Sequence, residues 1–159
     1  MPIKSFRGRL VTGDGSTSGL GVDVIPLSTN NGSTGYRITK LQLFPDQFGT
    51  VDQKSTVTIF SIPQTVPSNI VDFSDNTLLG AAVMSTDNSE NNPLNSNVVF
   101  DNMTFNQDIF VCHRNSHGDV GPVNYYIELE QIKLSLDENT VATLRDIRNI
   151  ESQWVNNII

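Results

Sequence analysis

Apolar residues recur along this chain at every second position, in short runs broken by Gly, Pro, Asn and Ser. A period of two marks a strand with one buried face, whereas helices repeat at about 3.6. Residues 3–12 form the first such run. In the second, Leu20, Val22 and Val24 alternate with Gly21 and Asp23, and Pro26 ends it. Residues 36–44 form a third, closed by Pro45-Asp46. Residues 56–62 carry Val57 and Ile59 on one face and Phe60 and Ile62 on the other, so this strand is either buried on both sides or bulged. Residues 78–84, 98–100, 109–114 and 123–136 supply the remaining strands. Residues 64–77, flanked and interrupted by Pro63 and Pro67, suit a helical turn near residues 70–73.

The longest run, "VNYYIELEQIKLSL" (123–136), changes parity midway. Val123, Tyr125, Ile127 and Leu129 share one face, and Ile132, Leu134 and Leu136 the other. A regular strand cannot turn both sets inward, so the reading expects a bulge near Glu130-Gln131, or burial of both faces against different neighbours. The connections "GDGSTSGLG" (13–21), "STNNGSTG" (28–35), "STDNSENNPLNSN" (85–97) and "NSHGDVGP" (115–122) are polar and rich in turn formers.

Only the C-terminal segment reads as helical. Val141, Leu144, Ile147 and Ile150 recur at helical spacing after Asp137, a candidate cap. The apolar ending "WVNNII" follows. The pattern therefore predicts an all-β fold: an antiparallel β-sandwich, jelly-roll-like, with about eight strands and one short C-terminal helix. Residues 1–136 form the sandwich domain, and residues 137–159 the helix and apolar tail.

Composition supports this reading. Charged residues make up 17% of the 159, below the usual quarter, and Asn, Ser and Thr take their place. Such side chains bond to nearby backbone and compete with helix. The net charge of −7 disfavours sequence-independent nucleic-acid binding. No run approaches the ~20 apolar residues that cross a bilayer. The N-terminus lacks the pattern of a signal peptide, and the single Cys permits no intrachain disulfide. A soluble protein made in a cytoplasm is expected.

Candidate chemistry is sparse. "VCHRNSHGD" (111–119) holds Cys112, His113 and His117. On a strand, Cys112 and His113 point to opposite faces, and His117 lies roughly 13 Å from His113. That geometry disfavours both a metal site, which needs three or four ligands, and a nucleophile with its base. The Gly-rich loop at 13–21 has no Gly-Lys-Ser/Thr, and a strand follows it, so it does not read as a phosphate cradle. Carboxylates pair as Glu128 with Glu130 and as Asp72 with Asp75, but the first pair reads as a solvated strand face. Asp87, Asn88, Glu90 and Asn91 follow no known calcium-loop spacing. Neither catalytic residues nor a cofactor or metal are assigned, and the protein is not expected to be an enzyme. Tyr36, Tyr125 and Tyr126 could bind a sugar, but only one of the two adjacent tyrosines can face a ligand.

The closing segment "YYIELEQIKLSLDENTVATLRDIRNIES" resembles small virion proteins of tailed bacteriophages, especially those of marine bacteria. The resemblance implies a structural role in the virion: a capsid decoration or auxiliary protein bound to the major capsid protein or other virion proteins, and as an alternative a tail component. A homo-oligomer is implied, a trimer by analogy with shell symmetry, without nucleic acid or membrane as partner. The contact segments expected from the residues are Pro2, Ile3 and Phe6 at one end and Trp154, Val155, Ile158 and Ile159 at the other. The competing reading is a glycan- or receptor-binding module.

Overall fold

The computed structural model describes residues 2–11, 21–27, 33–47, 53–65, 68–86, 95–116 and 122–134. The expected C-terminal helix and tail lie outside the described residues. Eight strands follow in order: β1 Ile3–Leu10, β2 Val22–Ile25, β3 Thr34–Pro45, β4 Gln53–Phe60, β5 Leu78–Thr86, β6 Asn95–Phe100, β7 Ile109–Asn115 and β8 Val123–Lys133. They pair antiparallel in two sheets, one ordered β1-β8-β3 and the other β2-β7-β4-β5-β6. Successive strands from β1 to β4 fall in alternate sheets, so the chain itself ties the two layers together. The arrangement is an all-β sandwich.

Alternation sets the inner face of each strand. Val123, Tyr125, Ile127 and Leu129 of β8 point inward, as do Ile109, Val111 and His113 of β7 and Val57 and Ile59 of β4. These apolar side chains join Leu10, Ile38, Leu41, Met84 and Phe105 in one core. Each fully buried aliphatic side chain contributes about 1.5–3 kcal/mol relative to an exposed one.

Two register shifts reconcile mixed parity with a single core. In β3, Tyr36 and Ile38 face inward, and so do Leu41 and Leu43. That requires one extra residue, and the register against β8 shifts between Ile38 and Lys40, leaving Thr39 as the bulge. The bulge expected near Glu130-Gln131 is not formed: β8 runs without an extra residue to Lys133, and the bulge at Thr39, opposite Glu128 and Leu129, serves the parity of β3. Beyond β1, Leu134 is buried over Gly35, where an added Cβ would meet its side chain at 3.0 Å. Burial of the second parity set against a different neighbour is thus the solution used at that end. β4 is buried on both faces and also shifts register against β5, between Ile59 and Phe60.

The helical turn expected near residues 70–73 is not formed. Asp72 Oδ1 accepts the Ser74 amide at 2.9 Å and its hydroxyl at 2.6 Å, and Asp75 Oδ1 accepts the same two groups of Thr77 at 2.8 and 2.6 Å. Short polar side chains outcompete helix here by bonding to backbone two residues on.

Phe105 joins the layers at another point. Its backbone exchanges two hydrogen bonds with Tyr36, at 2.7 and 2.9 Å, which extends the three-stranded sheet beside β3 after β6 has paired in the other sheet. At the opposite edge, Tyr125 leans over Gly8 and donates its hydroxyl to Asp23 Oδ2 of β2 at 3.1 Å, bridging the two sheets. A Cβ on Gly8 would lie 2.8 Å from the Tyr125 ring and hydroxyl and 2.9 Å from that carboxylate. Gly8→Ala is therefore expected to push Tyr125 off Asp23. Overpacking outweighs the stiffer unfolded chain, and a net loss of roughly 1–2 kcal/mol is expected in urea unfolding. An unchanged or higher midpoint would contradict this account.

Candidate binding surfaces

Cys112 and His113 lie on opposite faces of β7, and His117 lies outside the described residues. Cys112 faces away from the core yet is buried, and burial pushes its thiol up to about 12, so no thiolate is available at neutral pH. His113 points between the sheets and is fully buried. Its Nε2 shares a hydrogen bond of 2.9 Å with Ser55 Oγ, which also receives Gln53 Nε2 at 2.6 Å. Gln53 reaches on to the Pro122 carbonyl at 3.2 Å. Nδ1 has no partner within hydrogen-bond geometry, although the nearby Leu10 backbone favours its protonation slightly. Burial dominates and lowers the imidazole to about 4.

The Ser55–His113 distance is that of a nucleophile with its base, but both side chains are buried between the sheets. Sequence reasoning missed this cluster, whose one signal is polar residues at core-facing strand positions. Among the described residues no three His, Cys, Asp or Glu side chains gather as metal ligands.

The carboxylate pairs separate into structural roles. Asp72 and Asp75 each close their own turn, and the Ser74 hydroxyl and amide hold Asp72 below the usual carboxylate range. Glu128 and Glu130 share the outer face of β8, opposite the buried set. Glu130 pairs with Arg37, and Glu128 accepts the Tyr126 hydroxyl at 2.7 Å.

Of the three tyrosines, only Tyr126 faces outward. Tyr36 is buried and stacks on Phe105 with centroids 6.4 Å apart, and Tyr125 is held by Asp23. Pairing arranges the outer face of the three-stranded sheet in rows. Tyr126 stands between Arg7 and Gln42, and Asn124 between Arg9 and Phe44. Arg9 is committed to Asp46, with contacts of 2.8 and 3.3 Å that hold this carboxyl below its usual range. Lys40 sits over the Tyr126 ring, 5.7 Å from its centroid. Between Tyr126 and the 67% exposed Phe44 lies an open recess of about 750 Å³, lined also by Arg7, Gln42 and Asn124.

The outer face of the five-stranded sheet differs in kind. Its rows read Val24, Phe110, Phe60 and Val22, Cys112, Thr58, Ala81, Val99, with Arg114, Thr56, Val83, Asn97 alongside. Val24, Val83 and Val99 are 53%, 44% and 51% exposed. Exposed Phe73 and Phe100 meet Val99 at a recess of about 250 Å³ on one edge. Antiparallel sandwich sheets ordinarily carry polar residues on the outer face. Here valines and phenylalanines stand beside Thr56, Asn97 and Arg114, and Thr58, Cys112 and Ala81 at the middle of the face are buried.

Of the contact residues expected from sequence, Pro2 and Ile3 are exposed at the start of β1, with the Pro2 carbonyl accepting the Gln131 amide at 2.9 Å. Phe6 instead faces inward and packs on the chain's own core. Trp154, Val155, Ile158 and Ile159 lie outside the described residues. No protein-family model matches this chain, and no curated protein matches it significantly.

Proposed function

We propose that this chain is a structural protein of a virus particle, a decoration or auxiliary protein that joins the capsid shell through protein–protein contacts. The observation that supports the reading is the set of valines on the outer face of the five-stranded sheet, Val24, Val83 and Val99, presented to solvent. Uncovered apolar surface of this kind is characteristic of association sites. The strand order adds support. The orders β1-β8-β3 and β2-β7-β4-β5 are those of seven jelly-roll strands, while β6 joins the second sheet and only an isolated bridge at Phe105 lies beside β3. Jelly rolls recur in viral capsid proteins and in lectins, so the topology is compatible with the role and the exposed valines argue for it. Net charge of −7 keeps free copies apart before assembly.

Quantitative mass spectrometry of purified particles tests the reading. A shell position requires on the order of hundreds of copies, as symmetric shells repeat their contacts. A dozen or so would move the protein to the tail, and its absence would overturn the proposal. Val83→Asp and Val99→Asp should each keep the melting temperature within a few degrees and lose attachment to the particle. Retained attachment in both would exclude this face as the contact.

A further inference from the structure

We infer that the recess on the outer face of the three-stranded sheet is a binding site for an acidic saccharide. Three side chains with free hydrogen-bonding capacity surround it. Arg7, Gln42 and Asn124 have no hydrogen-bond partner among the described residues, although Arg9, Arg37 and Glu128 on the same face are all engaged. Arg7 is the one charged residue lining the recess. In a chain of net charge −7, the uncommitted group presented there is a cation. Its guanidinium is a planar fork that matches a carboxylate or sulfate.

The rest of the lining selects a sugar as the bearer of that anion. The Tyr126 hydroxyl is tied to Glu128, two residues along its own strand, and Lys40 stands 5.7 Å from the ring centroid, so the ring is held in place beside the recess. Phe44 stands on the other side of the recess. Pyranose rings present an apolar C–H face that packs on aromatic rings, while their hydroxyls take amide donors and acceptors such as Gln42 and Asn124. Together the rows Arg7–Tyr126–Gln42 and Arg9–Asn124–Phe44 span two strand spacings, about 10 Å. An extended peptide would need an open sheet edge to satisfy its backbone. This recess lies over a sheet face, where no ladder is offered. Glu128 and Glu130 would repel a polyphosphate chain running along β8; neither lines the recess, and with Glu128 on the Tyr126 hydroxyl the anionic group of a compact sugar belongs at Arg7.

The site does not depend on where the protein resides. Its test is an array carrying uronate, sulfated and sialylated oligosaccharides beside neutral glucose and mannose oligosaccharides, probed with the full chain. Saturable binding to an acidic class is expected, with neutral counterparts at least ~10-fold weaker, the worth of one charge-assisted contact. Arg7→Gln should erase the preference for the acidic sugar. Tyr126→Ala should weaken binding at least ~10-fold, while Tyr126→Phe keeps the ring and most of the affinity. Ile70→Ser, at a largely exposed position between β4 and β5, should leave sugar binding unchanged. No binding to any acidic saccharide at millimolar concentration would overturn the inference. So would equal binding of neutral sugars, or binding unmoved by Arg7→Gln.

Discussion

Phe105→Ala is expected to destabilise the fold by about 3–5 kcal/mol, the usual cost of emptying a buried aromatic site. Phe105 is 1% exposed and packs on Tyr36. Its loss removes more than transferable apolar surface. Among the described residues the Phe105 backbone is hydrogen-bonded only through the pair it makes with Tyr36, and the ring packs beside that pair. A chain of this size should melt about 10 °C lower. Phe44→Ala and Phe73→Ala serve as comparisons, since both rings are largely exposed and surface substitutions usually stay within about 0.5 kcal/mol. Equal shifts for Phe105→Ala and Phe44→Ala in thermal and urea unfolding would contradict the role given to the bridge.

Phe105 also marks where the sequence ceases to be legible. Alternation disclosed all eight strands to within a few residues at most ends, because a half-buried strand needs a period of two. Residues 101–108 show no such period and were left without an element. Phe105, which forms an isolated bridge there, gains its meaning from Tyr36, a partner distant in sequence. Sheet membership was hidden for the same reason, since pairing between β1 and β8 or between β2 and β7 is a property of the whole chain. The parity conflict in residues 123–136 was visible, but an extra residue in either partner of a ladder can shift register. The extra residue lies in β3, at Thr39, whose hydroxyl reaches the Glu128 carbonyl at 3.2 Å, whereas β8 has none and buries Leu134 against Gly35 instead.

The binding surface was legible in part. Strict alternation separates Tyr125 from Tyr126 and Cys112 from His113, and the structure assigns each to the face that the period allows. What the period cannot supply is the company a side chain keeps. Arg7 and Gln42 flank Tyr126 only because β1 and β3 pair on either side of β8 in that register. Single residues on a solvated face carry no mark of convergence. Likewise, the apolar part of the outer face of β4 and β5 follows from mixed parity in residues 56–62, but its extension through Val24 and Val99 needs the strand order.

Acid should unfold this protein through His113 before it does so through the carboxylates. The imidazole is fully buried, and its folded value of about 4 lies below the ordinary 6.5. Above pH 6.5 the ring is neutral in both states and stability is flat. As pH falls from 6.5 toward 4, the unfolded chain takes up a proton that the folded chain refuses, so stability declines by up to ~1.4 kcal/mol per pH unit, roughly 3 kcal/mol in all. Asp46 and Asp72 have depressed values, so their contribution is present above about pH 3.8 and is lost only below it, which separates the two windows. Urea midpoints measured from pH 8 to pH 4 should therefore slope in wild type. In His113→Gln the slope should flatten even though the Ser55 contact is weakened and stability at pH 8 is lower. A slope that survives His113→Gln would mean that the buried imidazole does not govern the acid limb.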